Sequence, residues 1–460
     1  DMYARFFRWA SDRLNENGVL AFVTNRSFIE SRTFDGFRKT VASEFADIYV
    51  VDLGGDVRAN PKLSGTKHNV FGIQTGVAIS FMVKRAQSTK DKKPARVYYV
   101  RRPEMETAEE KLGFLANHPM SGMAFDEVQP DKAHNWVNLT SNDFETLIPL
   151  ASKDTKVAKT AGKERAIFKL FSLGVVTARD EWVYDESKDR LSGKIQTLID
   201  AYNADGAKLK HIHDRSSLAD KLDTSIKWSR ATKRDLANGV TYHFEADRIV
   251  SANYRPFVKQ QLYFDGHLNE MRNMTTRLFG EAGGVTNSSI VLTDAGSQKP
   301  FMVQVVDSVL DYHYVGAAAA AVAMPIARID DDGQRHDNIT DWALKQFAAH
   351  YADEIGKGKA ARKITKEGIF HYCYAVLHDP LYREKYAQNL KREFPRIPFY
   401  KDFWQWAAWG EALMALHIGY EGVAPFALTR TDVPDAKARA AGMQPKAMLR
   451  ADPAAGSIAL

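Results

Sequence analysis

Two groups of cations are the residues whose type and spacing could do chemistry on a polyanion. Lys227, Arg230, Lys233 and Arg234 cluster beside Trp228, and Lys153, Lys156, Lys159, Lys163 and Arg165 form a second cluster diluted by Asp154 and Glu164. Cations at such spacing can track the phosphates of a nucleic acid, whereas choice among sequences needs side chains that read base edges. Arginine suits guanine, and asparagine or glutamine suits adenine. A solvated charged face would show the same pattern. Arg179 and Arg255 are flanked by aromatic residues. There they either contact a nucleic acid or serve as buried cations paired with Asp180 or a neighbour.

Other reactive constellations are weaker. The run Val50-Val51-Asp52-Leu53-Gly54-Gly55-Asp56 ends an apolar stretch in a glycine turn. Such a turn holds a cofactor when its glycines let the backbone approach the ligand and a helix opens directly after it. Residues 56–66 instead read as a loop with Pro61, so the turn is read as a strand leaving its sheet. His211-Ile212-His213-Asp214 is read as a solvated turn before it is read as a metal site. No Gly-x-x-x-x-Gly-Lys-Ser/Thr loop and no Gly-x-Ser-x-Gly elbow occurs. Cys373 is the only cysteine, which excludes an internal disulfide and a Cys-x-x-Cys zinc site and suits a reducing compartment such as the cytoplasm.

The elements that must position these groups change character along the 460 residues, a length that allows two or three domains of about 150 residues each. A balance of 45% apolar and 26% charged residues is that of a chain able to bury a core. The formal charge of +6 is compatible with a polyanionic partner without requiring one. The most apolar stretch, 315–327, is too short for a membrane span, which needs about 18 residues, and Pro325 interrupts it. The charged and aromatic start does not read as a signal peptide. Position 1 is Asp and residues 2–14 already read as a helix, so a fragment lacking its N-terminal part is expected.

Periodicity predicts a helix from Tyr3 to Leu14, a strand over Val19 to Thr24, a helix over Phe34 to Phe45, and strands over Ile48 to Leu53, Val77 to Val83 and Val97 to Val100. The continuous apolar run VLAFVT is expected to lie in a parallel sheet buried on both faces. Strands alternating with helices argue for a doubly wound α/β sheet, of which three or four strands make only a part. Beyond Arg102 the predicted strands are short: Gly174 to Thr177, Trp182 to Tyr184, Gln261 to Phe264, Ser289 to Thr293 and Phe301 to Val306. Helices are predicted around Lys194 to Tyr202 and over Asp341 to Tyr351, Lys366 to Leu377, Leu381 to Phe394 and Trp404 to Leu416. Asp379-Pro380 reads as an N-cap followed by proline at the first helical position.

In order, the first segment resembles the second half of the sheet in gamma-class adenine-N6 DNA methyltransferases. In that family an Asn-Pro-Pro-Tyr loop precedes a helix like Tyr3 to Asn15. A strand and loop like Gly18 to Phe28 (GVLAFVTNRSF) follow, then a helix carrying Arg38, a strand like Ile48 to Leu53, and a loop entering a strand like Asn69 to Ile79 (NVFGIQTGVAI). Later segments resemble the recognition region of type ISP restriction-modification enzymes. These are Phe171 to Tyr184 (FSLGVVTARDEWVY), Tyr254-Arg255-Pro256-Phe257 with Lys259 and Tyr263, Ile369 to Tyr372 with His378-Asp379-Pro380, and Tyr382 to Tyr386 with Phe394 to Pro398. The resemblance covers nearly the whole chain and weakens over 315–327 and in the tail. Asp379-Pro380-Leu381-Tyr382 is similar to the Asp-Pro-Pro-Tyr loop of amino-methyltransferases, but it follows a helix and lacks the second proline, so it is read as a helix cap.

The resemblance implies an α/β fold: the C-terminal part of a Rossmann-like methyltransferase sheet over residues 1–105, then a mixed α/β target-recognition region over 106–460 with a helical C-terminal part and a loosely ordered tail from about 432. It implies double-stranded DNA as partner and S-adenosylmethionine as cofactor, bound mainly by an upstream half, so no cofactor-binding residue is assigned here and no metal. An upstream motor and nuclease are implied as well. Such enzymes flip the target adenine out of the duplex and stack it on aromatic faces. Phe71 matches the position of one of them, the other reading being a core aromatic. Asn25, Arg26 and Lys67 would lie near the DNA, although Asn25 also reads as a helix cap. Arg179, Trp228, Lys233, Tyr254, Arg255 and Lys259 are the candidates in the recognition region. The chain alone is expected to be inactive in methyl transfer. The competing readings are a non-catalytic DNA-binding specificity module and a methyltransferase acting on RNA or protein.

Overall fold

The computed structural model describes residues 2–57, 63, 65–86, 93–131, 134–137, 142–151, 165–209, 222–295, 297, 299–317, 319–356, 362–425, 427, 450–452, 454 and 456–459. Lys153, Lys156, Lys159, Lys163, His211, His213 and most of the predicted loose tail lie outside the described residues.

The first segment builds a five-stranded sheet from β1 (Gly18–Asn25), β2 (Asp47–Gly54), β3 (Val77–Lys84), β4 (Arg96–Arg101) and β5 (Asp126–Val128), in the order β1-β3-β2-β4-β5. Strands β2 and β4 are parallel, and β3 runs antiparallel between β1 and β2. The sheet thus reaches Val128, and Trp136 joins its core. Helix Met2–Ser11 turns Phe7 inward, where its ring meets Phe22 at 5.1 Å and Phe37 at 5.0 Å. Helix Asp35–Glu44 carries Arg38, which is fully buried and donates to the carbonyl oxygens of Phe28 (2.9 Å), Ser31 (2.9 Å) and His134 (2.7 Å).

One expectation is corrected here. The run VLAFVT forms β1, but β1 is the outermost strand of the sheet and pairs only with antiparallel β3. Leu20 is buried, while Val19 is 59% and Val23 52% exposed. An apolar run reports that a segment avoids water in its final setting, not which neighbour covers it. By contrast β2 is buried everywhere except Tyr49.

Beyond β5 the chain adds β6 (Ile148–Pro149), β7 (Ser172–Leu173), β8 (Tyr184–Asp185), β9 (Ile249–Arg255), β10 (Val258–Tyr263), β11 (Ser289–Thr293), β12 (Val303–Val306), β13 (Val309–Leu310) and β14 (Ala321–Pro325). Two four-stranded sheets result, ordered β13-β9-β10-β8 and β12-β11-β14-β7. The second lies between two cores, and the period of two along its strands divides them. Ile290, Leu292, Val303, Val305, Val322 and Met324 face a core shared with helices Lys366–His378 and Phe403–Ile418. Val291, Val306, Ala321 and Ala323 face the core shared with the other sheet and helix Lys188–Leu209. Residues 321–325 of the alanine-rich run are therefore a strand buried along its whole length.

Three more predicted elements differ. The strand expected over Gly174 to Thr177 lies instead at Ser172–Leu173, and Val175 and Val176 form only isolated bridges. Trp182 lies in a one-turn helix, Asp180–Val183, rather than a strand, because the Thr177 hydroxyl binds the Asp180 carboxylate and Trp182 N–H donates to the Arg179 carbonyl at 2.9 Å. The single helix expected over Leu381 to Phe394 breaks at Tyr386 into Pro380–Lys385 and Ala387–Leu390. Tyr386 leaves helical geometry as its hydroxyl donates to Asp143 at 2.7 Å. The cap at Asp379 forms, its carboxylate accepting from Leu381 N–H at 3.0 Å.

Helices Lys366–His378 and Phe403–Ile418 meet at Gly410. A Cβ there would stand 1.8 Å from the carbonyl oxygen of His371. Gly410→Ala is expected to force the helices apart and cost about 1–3 kcal/mol, the usual range for overpacking. Urea unfolding of the variant measures this, and an unchanged midpoint would refute the close crossing.

The unit over 419–460 contributes, among its described residues, a short helical turn at Tyr420–Gly422 and a hairpin of β15 (Arg450–Asp452) and β16 (Ser457–Ala459).

Candidate nucleic-acid interface

Asn25, Arg26 and the loop over 65–76 gather at one end of the first sheet, where β1 and β2 finish and β3 begins. Asn25 pairs with Val77, and its Oδ1 accepts from the Ser27 N–H (2.7 Å) and hydroxyl (2.6 Å). It thereby closes an Asx turn onto Ser27, one residue before the N-cap position that Arg26 holds on the short helix Ser27–Glu30. Arg26 is 3% exposed. Its Nε and Nη2 reach the two oxygens of Asp52 at 2.9 and 2.8 Å, and its Nη1 reaches Glu30 at 2.5 Å. Burial alone would lower the Arg26 pKa, yet the two carboxylates raise it. Burial would likewise push Asp52 up, but Arg26, the Tyr99 hydroxyl at 2.7 Å and the Gly54 N–H hold it below the ordinary carboxylate value. Arg26 is thus committed to the protein interior and is not displayed at the surface.

The glycine turn after β2 is filled by the chain itself. Gly55 has φ +75°, and a Cβ there would stand 2.6 Å from the His68 carbonyl oxygen. With Asp52 occupied by Arg26 and the turn packed on His68, these residues do not fit a nucleoside cofactor, which agrees with the reading of a strand leaving its sheet.

The loop that follows displays Phe71, 62% exposed, beside Ile73, 47% exposed. Phe71 is therefore not a core aromatic. Beneath it Asn69, 3% exposed, uses both ends of its amide. Its Nδ2 donates to the carbonyls of Gly55 (3.2 Å) and Thr75 (2.7 Å), and its Oδ1 accepts from the N–H groups of Phe71 (3.0 Å) and Ile73 (3.4 Å). Lys111, fully buried on helix Ala108–Asn117, donates to the His68 carbonyl at 2.7 Å, and burial lowers its pKa. Lys67 is exposed in the same loop. Asn69 and Lys111 were missed in the sequence. Asn69 stands two residues before Phe71, a visible signal. Lys111 gave none, since a lone lysine on a helix ordinarily faces solvent.

The remaining candidates gather around the second set of sheets. Arg179 is 1% exposed, donates from Nη2 to the Thr232 hydroxyl at 3.1 Å, and its Nε has no hydrogen-bond partner among the described residues. Burial lowers its pKa. Thr232 lies on helix Arg230–Ala237, which exposes Lys233. Trp228 is half-buried, donating to the Asp223 carbonyl at 2.8 Å. Tyr254 donates to Asp180 at 3.0 Å, and the Arg255 guanidinium stacks over its ring at 3.9 Å while pairing with Asp311 at 2.7 Å. Lys259 is half-buried on β10. The loop over 177–180 thus ties helix Arg230–Ala237 to β9. Arg179 is buried and Arg255 is half-buried and paired with Asp311, while Lys233 is open to solvent. Among the described residues no group of three His, Cys, Asp or Glu side chains is placed to hold a metal ion, and no helix is long and apolar enough to cross a membrane.

Residues 166–456 match the family model of the type ISP C-terminal specificity domain. Three solved structures are similar. A DrdV–DNA complex shares 44% identity over 94% of this chain, with a TM-score of 0.82. A nuclease-deletion mutant of the type ISP restriction-modification enzyme LlaGI, in complex with a DNA substrate mimic, shares 30% identity over 90%, with a TM-score of 0.73. The ATP-dependent type ISP restriction-modification enzyme LlaBIII, bound to DNA, shares 25% identity over 93%, with a TM-score of 0.75. The chain spans 41%, 37% and 27% of those three proteins. No curated protein matches it.

Proposed function

The chain belongs to the type ISP restriction-modification family, in which it corresponds to the C-terminal specificity region, and from that premise we propose that it recognises duplex DNA by sequence and completes the pocket for a flipped adenine. Residues beyond the core that Trp136 closes, rather than from about 106, carry the choice of sequence. Those up to Trp136 complete a Rossmann-like methyltransferase sheet whose other half lies upstream. The observation that carries this reading is Phe71: an aromatic ring held out in solvent by a buried, fully bonded asparagine. Rings that pack a core do not need such a support.

The edge of β1 agrees with an upstream partner. It ends the sheet with exposed Val19 and Val23, next to a helix that exposes Phe6 (54%) and Trp9 (57%). An uncovered apolar edge strand is a template for another strand. The upstream half would supply that strand, the S-adenosylmethionine site and the Asn-Pro-Pro-Tyr loop. When bound, the cofactor supplies an electrophilic methyl group for the adenine amino nitrogen. This chain's part is to stack the flipped base on Phe71 and fix its plane. In the longer protein this activity would be coupled to the ATP-driven and nuclease functions named for LlaBIII and LlaGI. A free-standing specificity module would leave the β1 edge uncovered.

The isolated chain is expected to bind duplex DNA and to transfer no methyl group to it. Mobility shift together with labelled methyl transfer to DNA, RNA and protein substrates tests both halves. Methyl transfer by this chain alone, or binding to RNA in preference to duplex DNA, would overturn the reading.

A further inference from the structure

Phe71 is not the only apolar side chain that its loop displays. Over 65–76 one other large apolar residue is exposed, Ile73, at 47%. Between them Gly72 takes φ +64°, and a Cβ there would meet nothing within 4 Å. Glycine thus stands there for its left-handed backbone and not for a close approach. The Gly72 N–H donates to the Asn69 carbonyl at 3.0 Å, which closes the turn that carries Phe71. Ile73 follows that turn and has an anchor of its own. The next residue, Gln74, accepts the Val57 N–H on its carbonyl at 3.1 Å, whereas the Ile73 N–H reaches Asn69 only at 3.4 Å, the longest of the four bonds to that amide. The chain therefore presents a ring and a branched aliphatic side chain from two separately held positions on one loop.

A ring alone leaves half of base flipping undone. An adenine drawn out of a duplex gives up its pairing and both stacking neighbours, and it leaves a gap in the stack. Phe71 returns one stack to the withdrawn base and does nothing for the gap. Apolar side chains, isoleucine among them, enter such spaces between base steps and shield the flanking base faces from water. The withdrawn base stays tied to its strand, so the side chain that fills the gap must come from close beside the ring that receives the base. Lys67, exposed in the same loop, brings a cation for the phosphates there. We propose that Ile73 enters the space the target adenine leaves and keeps the duplex open while Phe71 holds the base. This rests on the reading of Phe71 above.

The test is single-turnover methyl transfer by the longer enzyme that includes the upstream half. It compares the target duplex with the same duplex carrying a mispaired target adenine, which is easier to withdraw and asks less of a wedge. Ile73→Ala is expected to slow transfer about tenfold or more on the paired duplex, the order carried by one contact on a base face. On the mispaired duplex the loss shrinks to about twofold. Phe71→Ala slows both, because the base needs its pocket however it leaves the stack. Ile73→Leu recovers most of the loss. The melting temperature of Ile73→Ala stays that of the wild type, since the side chain is exposed. Equal losses by Ile73→Ala on the two duplexes, or no loss on the paired one, overturn the wedge and leave Phe71 in place. A melting temperature that falls together with both rates assigns Ile73 to the packing of its own loop and also overturns it. Normal turnover by Phe71→Ala on both duplexes removes the base pocket, and the wedge with it.

Discussion

Arg26→Met is expected to lower the stability of the chain by about 3–5 kcal/mol, the range for removing one partner of a buried ion pair. Asp52 is fully buried and depends on Arg26 for three of its hydrogen bonds. Without the guanidinium it keeps the Tyr99 hydroxyl and the Gly54 N–H, which do not neutralise its charge. The dependence on pH gives a sign to check. In the wild type the Asp52 pKa is lowered, so its contribution is complete above the unfolded carboxylate value of about 3.9 and is lost as pH falls through the lower folded value. In Arg26→Met burial is no longer opposed by a cation, and the carboxyl titrates above the unfolded value. The variant therefore recovers stability on acidification while the wild type loses it, and the gap between them narrows. Urea unfolding from neutral pH downward reads this directly. Arg26→Met/Asp52→Leu should recover much of the loss at neutral pH, because both buried charges go together. If Arg26 contacted DNA instead, Arg26→Met would keep its stability and lower the salt slope of DNA binding by about one. That result would refute the interior role.

The contrast between Arg26 and Lys233 shows where residue patterns stop being informative. Both are cations near aromatic or polar residues, and both were candidates for the same partner. One is enclosed by Asp52 and Glu30, the other is on an open helix face. A carboxylate 26 positions away along the chain decides the matter for Arg26, and no local window contains it. Local chemistry was legible where it acts alone. The β-branched run Ser289–Thr293 is a strand with the predicted bounds, and Asp379-Pro380 caps its helix. Asn25 bonds a neighbour two positions on, in an Asx turn just ahead of the helix. The apolar run of β1 is a strand as expected, but among the described residues it lies at the edge of the sheet beside antiparallel β3, because an apolar run does not say which neighbour covers it. Lys111 was invisible for the opposite reason: it satisfies a backbone carbonyl rather than an acid, and lysines that do so are rare.

Phe71→Ala, in the longer enzyme that includes the upstream half, is expected to slow methyl transfer about 10–100-fold, as loss of a base–aromatic stack would. Choice of DNA sequence should survive, because the recognition region is untouched. Asn69→Ala should produce nearly the same loss with Phe71 still present. Its amide joins Gly55 and Thr75 to the N–H groups of Phe71 and Ile73, so its removal frees the loop and leaves buried carbonyls unpaired. The two variants are separated by their combination. If Asn69 acts by positioning Phe71, then Asn69→Ala adds little to the methylation defect of Phe71→Ala, while its own cost in stability persists in the double variant. Single-turnover methyl transfer with thermal unfolding on all four proteins measures both quantities. Additive defects in methylation would show that Asn69 serves the fold and not the ring. A Phe71→Ala enzyme with normal turnover and altered sequence choice would remove Phe71 from the base pocket and assign its loop to recognition.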